Sequence, residues 1–261
     1  MLTIISPAMR MRSFDLLAPL SQTTPYFLSE AHHIAREVKK LEFTEMAELL
    51  KVKGELAAEM YALWQDFEID EPAKPHTNPA LGAFWGIAYT HLNPLDFSYD
   101  DWLYAQDHLR IGSGLYGLLR PLDAVQHYRL EMQAKLKIDE EKSLARFWSR
   151  RLSQVLEAQA NGTIVNLASS EYAKVLLADI SSKTKILNCD FKILGKKGYF
   201  TQSTWAKIGR GSLARFITQE QIDSVEGLEA YSAYGFYLSP SFSSKDSLVF
   251  VADKPTIPEK L

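Results

Sequence analysis

Cysteine is nearly missing from this chain: Cys189 is the single one among 261 residues. One thiol cannot build a disulfide framework, and its solitude fits a reducing compartment. No apolar run approaches the roughly 18 residues that a membrane-spanning helix needs. Neither sign of charge dominates, since 29 Lys and Arg face 32 Asp and Glu for a net charge of −3. The chain as a whole therefore has no attraction for nucleic acid or an anionic membrane, and a role on DNA requires a local basic patch. Histidines are few and scattered. The adjacent His32 and His33 point about 100° apart on a helix, so they do not face one metal together. No Cys, His or acidic residues recur at metal-ligand spacing, so no metal site is expected and no cofactor is assigned. A P-loop, a G-x-S-x-G elbow and a dinucleotide fingerprint are also missing. The opening MLTIISPAMRMR is apolar before it is basic, the reverse of a secretory leader. A cytoplasmic location is expected.

What is present is an ordinary globular composition, 46% hydrophobic and 23% charged. Leu2 to Ile5 is a short apolar run closed by Ser6-Pro7 and predicts a buried strand. Ser29 can cap a helix reaching Leu41, with Ala31, Ile34, Ala35 and Val38 at helical spacing. A second helix is expected from Thr44 to Trp64, weakened at Gly54. Pro72, Pro75 and Pro79 make residues 70–79 a loop. Further helical patterns surround Trp102 and run from Leu144 to Leu156, the latter stopped by Asn161-Gly162. Strands are expected at Thr163–Leu167, within 199–205 and at Leu248–Val251. Strands and helices interleave irregularly, with no repeat and no linker. That pattern predicts one compact mixed α/β (α+β) domain over residues 1–261, a mixed sheet flanked by helices.

The segment His108–Glu131 carries the densest chemistry. Arg110, Arg120 and Arg129 surround a Gly-Ser-Gly turn at residues 112–114, and guanidinium groups grip phosphate or carboxylate with two prongs. The turn resembles a helix-hairpin-helix near 110–120, whose backbone N–H groups hold phosphates without reading sequence. On that reading Arg110, Gly112, Ser113 and Gly114 contact duplex DNA. His127, Tyr128 and Glu131 are candidates for moving protons near neutral pH. Lys207, Arg210 and Arg215 form a second basic cluster. Lys207 and Arg210 share a face if the segment is helical; Gly209 and Gly211 argue against a helix and for backbone approach to an anion. Cys189 is a poor nucleophile, because a nearby Asp190 raises its pKa.

The central run RIGSGLYGLLRPLDAVQHYRLEM resembles the signature of the YaaA family, cytosolic bacterial proteins linked to peroxide stress. Further likenesses follow in order: Ile4-Ile5-Ser6-Pro7-Ala8, Asn166 to Tyr172, Ala206 to Gly211 and Leu248 to Phe250. The resemblance implies a single compact domain and DNA binding through a helix-hairpin-helix. Several charged family positions are apolar here. Met9 stands at a lysine, Trp85 and Ile87 stand at a lysine and an aspartate, and Phe200 and Tyr234 replace a further lysine and an acid. Gly112 replaces a leucine, Phe236 a tyrosine, and His127 a proline.

These losses favour a small organic ligand over a phosphate backbone. The leading expectation is an enzyme, or else a ligand-binding protein, for a small molecule with an anionic group. Ser6, Arg10, Trp85, Arg120, Arg129, Asn166, Lys207 and Arg210 would bind it. Duplex DNA is the alternative partner, and an inactive structural paralogue is the third reading.

Overall fold

The computed structural model describes residues 1–69 and 77–256. Nine helices and an eight-stranded mixed sheet make up the described fold. Its five parallel strands are Leu2–Ile5, Leu109–Ser113, Thr163–Asn166, Lys185–Gly195 and Ser247–Ala252. Leu2–Ile5 lies between Leu109–Ser113 and Thr163–Asn166, and the later strands follow outward from the latter. The chain thus winds to one side after its first strand and to the other after Thr163–Asn166. That reversal opens a crevice beyond the carboxyl ends of these two strands, where ligands of doubly wound sheets characteristically bind.

The first strand is central because all four of its residues are apolar or small and are buried on both faces. Helices Leu28–Lys39, Tyr99–His108, Leu144–Gln159, Ser170–Leu176 and Ser203–Gln219 bury apolar stripes in the surrounding core. The helix expected over 44–64 is two helices, Phe43–Leu50 and Glu55–Asp66. Lys51 and Gly54, both at positive φ, make the break. The 199–205 segment divides into the strand Gly198–Phe200 and the start of helix Ser203–Gln219. Most of the expected 70–79 loop lies outside the described residues; Asn78–Pro79 pairs with Ala124–Val125.

The helix-hairpin-helix reading of 110–120 is overturned. Leu109–Ser113 and Gly117–Leu119 form an antiparallel β-hairpin at the sheet edge, with Ile111 opposite Leu119 and Ser113 opposite Gly117. Residues 109–119 are all buried. A Cβ on Gly114 would stand 2.3 Å from the Leu130 carbonyl oxygen, so that glycine makes room for backbone rather than for phosphate. Gly112 faces the Tyr172 ring.

Candidate functional site at the carboxyl edge of the sheet

A cleft of about 350 Å³ opens beyond the ends of Leu2–Ile5 and Thr163–Asn166. Its floor is tied by hydrogen bonds. Ser169 N donates to Ser6 Oγ at 2.8 Å, and Ser6 Oγ donates to Ser169 Oγ at 3.2 Å. Ser169 also caps helix Ser170–Leu176. The Tyr89 hydroxyl donates to the Ser6 carbonyl at 2.9 Å, and Leu167 N donates to the Ile4 carbonyl. Asn166 stabilises the turn beneath the cleft, accepting from Ala168 N and donating to Asn188 Oδ1, without lining it.

One wall is the helix Ser203–Gln219. Lys207, Arg210 and Gly211 recur at i, i+3 and i+4, so all three face the cleft. The glycines that argued against a helix are inside it. A Cβ on Gly211 would meet the Ala88 carbonyl oxygen at 2.0 Å, and one on Gly209 would meet the Phe191 ring at 2.1 Å. They let the helix approach Ile87–Leu92 on one side and the sheet on the other. The opposite wall is the ribbon in which Arg10 pairs with Trp85. Met9, Trp85 and Ile87 line the cleft and are 40%, 38% and 40% exposed. These are three of the positions where the family resemblance leads one to expect charge.

The electrostatics are one-sided. Arg10, Lys207 and Arg210 line the cleft, and no carboxylate does. Arg210 Nε is buried with no hydrogen-bond partner, and no described residue forms an ion pair with its guanidinium. Burial lowers the Arg210 pKa, while Asp190 and Cys189 act the other way from outside ion-pair distance. Cys189 itself is buried, and desolvation, with Asp190 adding to it, pushes its thiol far up.

A second hollow, about 680 Å³, adjoins the first and shares Met9, Arg10 and Trp85 with it. Arg129, His127 and Tyr128 line this one, together with Glu59 and Asp66 of helix Glu55–Asp66. Arg129 Nε and His127 Nε2 are buried without partners. The Tyr128 hydroxyl is turned inward, 2.6 Å from Ser113 Oγ, and burial holds its pKa well above the ordinary value. Glu131 pairs with Lys51 at 3.2 Å and lines neither hollow. The proposed proton movers therefore do not converge.

The other two arginines serve the fold. Arg110 donates to Gln159 Oε1 and to the carbonyls of Gln106 and Leu109, and burial lowers its pKa to about 10. Arg120 pairs with the fully buried Asp123 at 2.8 Å, donates to the Thr24 carbonyl and covers the Tyr26 ring. Arg215 donates to the Leu92 and Asn93 carbonyls and to Asp96 and does not line the cleft. Phe200 packs on Gly195 and Tyr234 on His91, both away from it too. Sequence reasoning missed Ile5, Ser169 and Tyr89 as cleft residues; only the serine cap before Ser170–Leu176 signalled one of them.

A family model described as "Peroxide stress protein YaaA" matches residues 1–242. The chain belongs to the YaaA family. The protein is similar to two relatives from Legionella pneumophila, both called UPF0246 proteins. That of strain Lens (lpl1317) is 35% identical over 96% of this chain and 99% of its own length. That of strain Paris (lpp1320) is 34% identical over 96% of this chain and its whole length. Among the described residues, no helix is long and apolar enough to cross a membrane, and no cluster of three His, Cys, Asp or Glu is placed to hold a metal ion.

Proposed function

We propose that this YaaA-family protein binds, and as an enzyme acts on, a small molecule with an anionic group and an apolar part. Its site is the cleft at the carboxyl ends of Leu2–Ile5 and Thr163–Asn166, in a single cytoplasmic domain. The observation that carries this reading is Arg210, a cation sunk in the cleft wall with a buried donor left unpaired. A buried donor without a partner costs about 1–3 kcal/mol, so a bound anion would relieve a standing penalty. Arg10 and Lys207 add charge of the same sign, and no carboxylate of the lining opposes it. Met9, Trp85 and Ile87 supply the apolar side.

The site lies where the winding of the sheet reverses, the general place for ligands in such sheets. Ser6 and Ser169 are the hydroxyls on the floor. Each already holds a backbone or side-chain partner, so they orient a ligand rather than attack it. The family name attaches peroxide stress to relatives; a cleft protein of this kind would meet that stress by handling a small molecule. Duplex DNA is disfavoured by the burial of Arg110, Gly112, Ser113 and Gly114.

The test is calorimetric titration of the full chain with phenyl phosphate, inorganic phosphate and a short DNA duplex at two salt concentrations. Phenyl phosphate should bind more tightly than inorganic phosphate, and Arg210→Ala should weaken both. Tight duplex binding with a steep salt dependence, unaffected by Arg210→Ala, would sink the reading.

A further inference from the structure

The second hollow is unlike the first in its charges. The first holds Arg10, Lys207 and Arg210 and no acid. The second holds Arg129 and His127 with unpaired buried nitrogens, but also Glu59 and Asp66 on a neighbouring helix. Among the described residues, neither acid forms an ion pair with Arg129. A simple anion held there would face two carboxylates. A group carrying both a carboxylate and an ammonium would suit both signs, with the carboxylate on Arg129 and the ammonium on Glu59 or Asp66.

Between the hollows stands the ribbon of Arg10 and Trp85, flanked by Met9, and all three residues line both sides. One face of the Trp85 ring is covered by the Arg12 guanidinium at 4.2 Å. The exposed part of the indole and the Met9 thioether form an apolar crest. A flat ring is the natural partner for such a crest. Three cations without an acid suit a doubly charged phosphoryl group better than a single carboxylate.

We infer that the two hollows form one bipartite site for an aromatic amino acid bearing a distal phosphoryl or equivalent anion. The distal anion sits on Lys207 and Arg210, the ring crosses Trp85 and Met9, and the amino-acid end sits between Arg129 and the Glu59–Asp66 helix. This rests on the anion-cleft reading above and adds the second end and its zwitterionic character.

The experiment is titration calorimetry of the full chain with four probes: phenyl phosphate, O-phospho-L-tyrosine, its N-acetyl form and phosphotyramine. O-Phospho-L-tyrosine should bind on the order of tenfold more tightly than phenyl phosphate, because its second contact is intramolecular. N-Acetylation, which removes the ammonium, and phosphotyramine, which lacks the carboxylate, should each lose that gain. Arg129→Gln should reduce O-phospho-L-tyrosine to the level of phenyl phosphate and leave phenyl phosphate unchanged. Arg129→Lys, which keeps the charge, should recover part of the gain if Arg129→Gln proves poorly folded. Arg210→Ala should weaken all four probes. If Arg210→Ala weakens them but the four bind alike, the bipartite site is wrong and the anion cleft stands. If the N-acetyl form binds as tightly as the free amino acid, the zwitterionic end is wrong and a peptide-borne phosphotyrosine fits better. If Arg210→Ala changes none of them, both readings fall.

Discussion

Around the β-hairpin, Arg110 and Arg120 direct their donors at Gln159, Asp123 and backbone carbonyls. Around the cleft, Arg10, Lys207 and Arg210 find no hydrogen-bond acceptor among the described residues. The two groups are the same chemistry put to opposite uses. The hairpin arginines lie close together in sequence and are consumed by the fold. The cleft cations come from residue 10 and from residues 207–210, and stay available because nothing in the core needs them. Density of charge along the chain is therefore a poor guide to availability of charge in space; the useful measure is whether each donor already has an acceptor.

The sharpest way to break this contrast is Arg120→Ala. It strands the fully buried Asp123 carboxylate with the Thr23 hydroxyl and the residue-120 backbone N–H as its remaining donors. A broken buried pair costs about 3–5 kcal/mol, so chemical denaturation at neutral pH should show a loss of that order. Ligand binding by the surviving folded fraction should be unchanged. A stable Arg120→Ala protein with lost binding would place Arg120 in the cleft group instead.

Acid should soften that loss. Burial raises the Asp123 pKa above the ordinary 3.8, against the opposing hydrogen bonds from Arg120 and Thr23. The folded state then holds a proton that the unfolded state has lost, so this residue's contribution to stability falls as pH rises from about 3.8 through the raised value. Without Arg120 the pKa climbs further and the window widens. The gap in stability between wild type and Arg120→Ala should hence narrow as pH falls. An equal gap at neutral and acidic pH would mean that Asp123 does not govern it.

Gly211→Ala is next in size. Its Cβ would stand 2.0 Å from the Ala88 carbonyl oxygen, so the cleft wall must move. Overpacking of this kind costs about 1–3 kcal/mol, and phenyl phosphate binding should weaken with it. Thermal unfolding together with titration checks both. Arg210→Ala should differ in kind: binding falls by about 1.5–3 kcal/mol, the worth of a charge-assisted hydrogen bond, while the unfolding temperature holds or rises. A large drop in stability would show that Arg210 belongs with the hairpin arginines. Trp85→Ala should be the mildest, costing about 0.5–1.5 kcal/mol for aromatic ligands and nothing for inorganic phosphate.

Much of the fold was legible in the sequence. The strands Leu2–Ile5 and Thr163–Asn166 and the helix Leu144–Gln159 declare themselves through apolar runs, helical spacing and a terminal Asn-Gly, whereas Ser29, expected as a cap, lies inside helix Leu28–Lys39. The hairpin was not legible, because a fully buried strand of sequence LRIGS alternates no more clearly than a helix start, and glycine turns serve both. Strand order was hidden too: parallel neighbours are separated by long crossovers that leave no local mark. Of the residues expected to bind a ligand, Ser6, Arg10, Trp85, Lys207 and Arg210 line one cleft. Arg129 lines the adjoining hollow, and Asn166 lies under the floor. Arg120 was misread because its partner, Asp123, sits three residues away and its burial cannot be inferred from the sequence.

The central strand also sets a schedule. Leu2–Ile5 pairs on one side with a strand beginning at Leu109 and on the other with one beginning at Thr163. Neither neighbour exists when the first strand leaves the ribosome. Four apolar or small residues must wait for Leu109–Ser113 on one side and, much longer, for Thr163–Asn166 on the other. Contacts this distant in sequence slow folding and lengthen exposure to aggregation. The residues that close the cleft floor, Ser6 and Ser169, meet only then, and the wall helix Ser203–Gln219 is made later still, so ligand binding reports folding across at least residues 6–211.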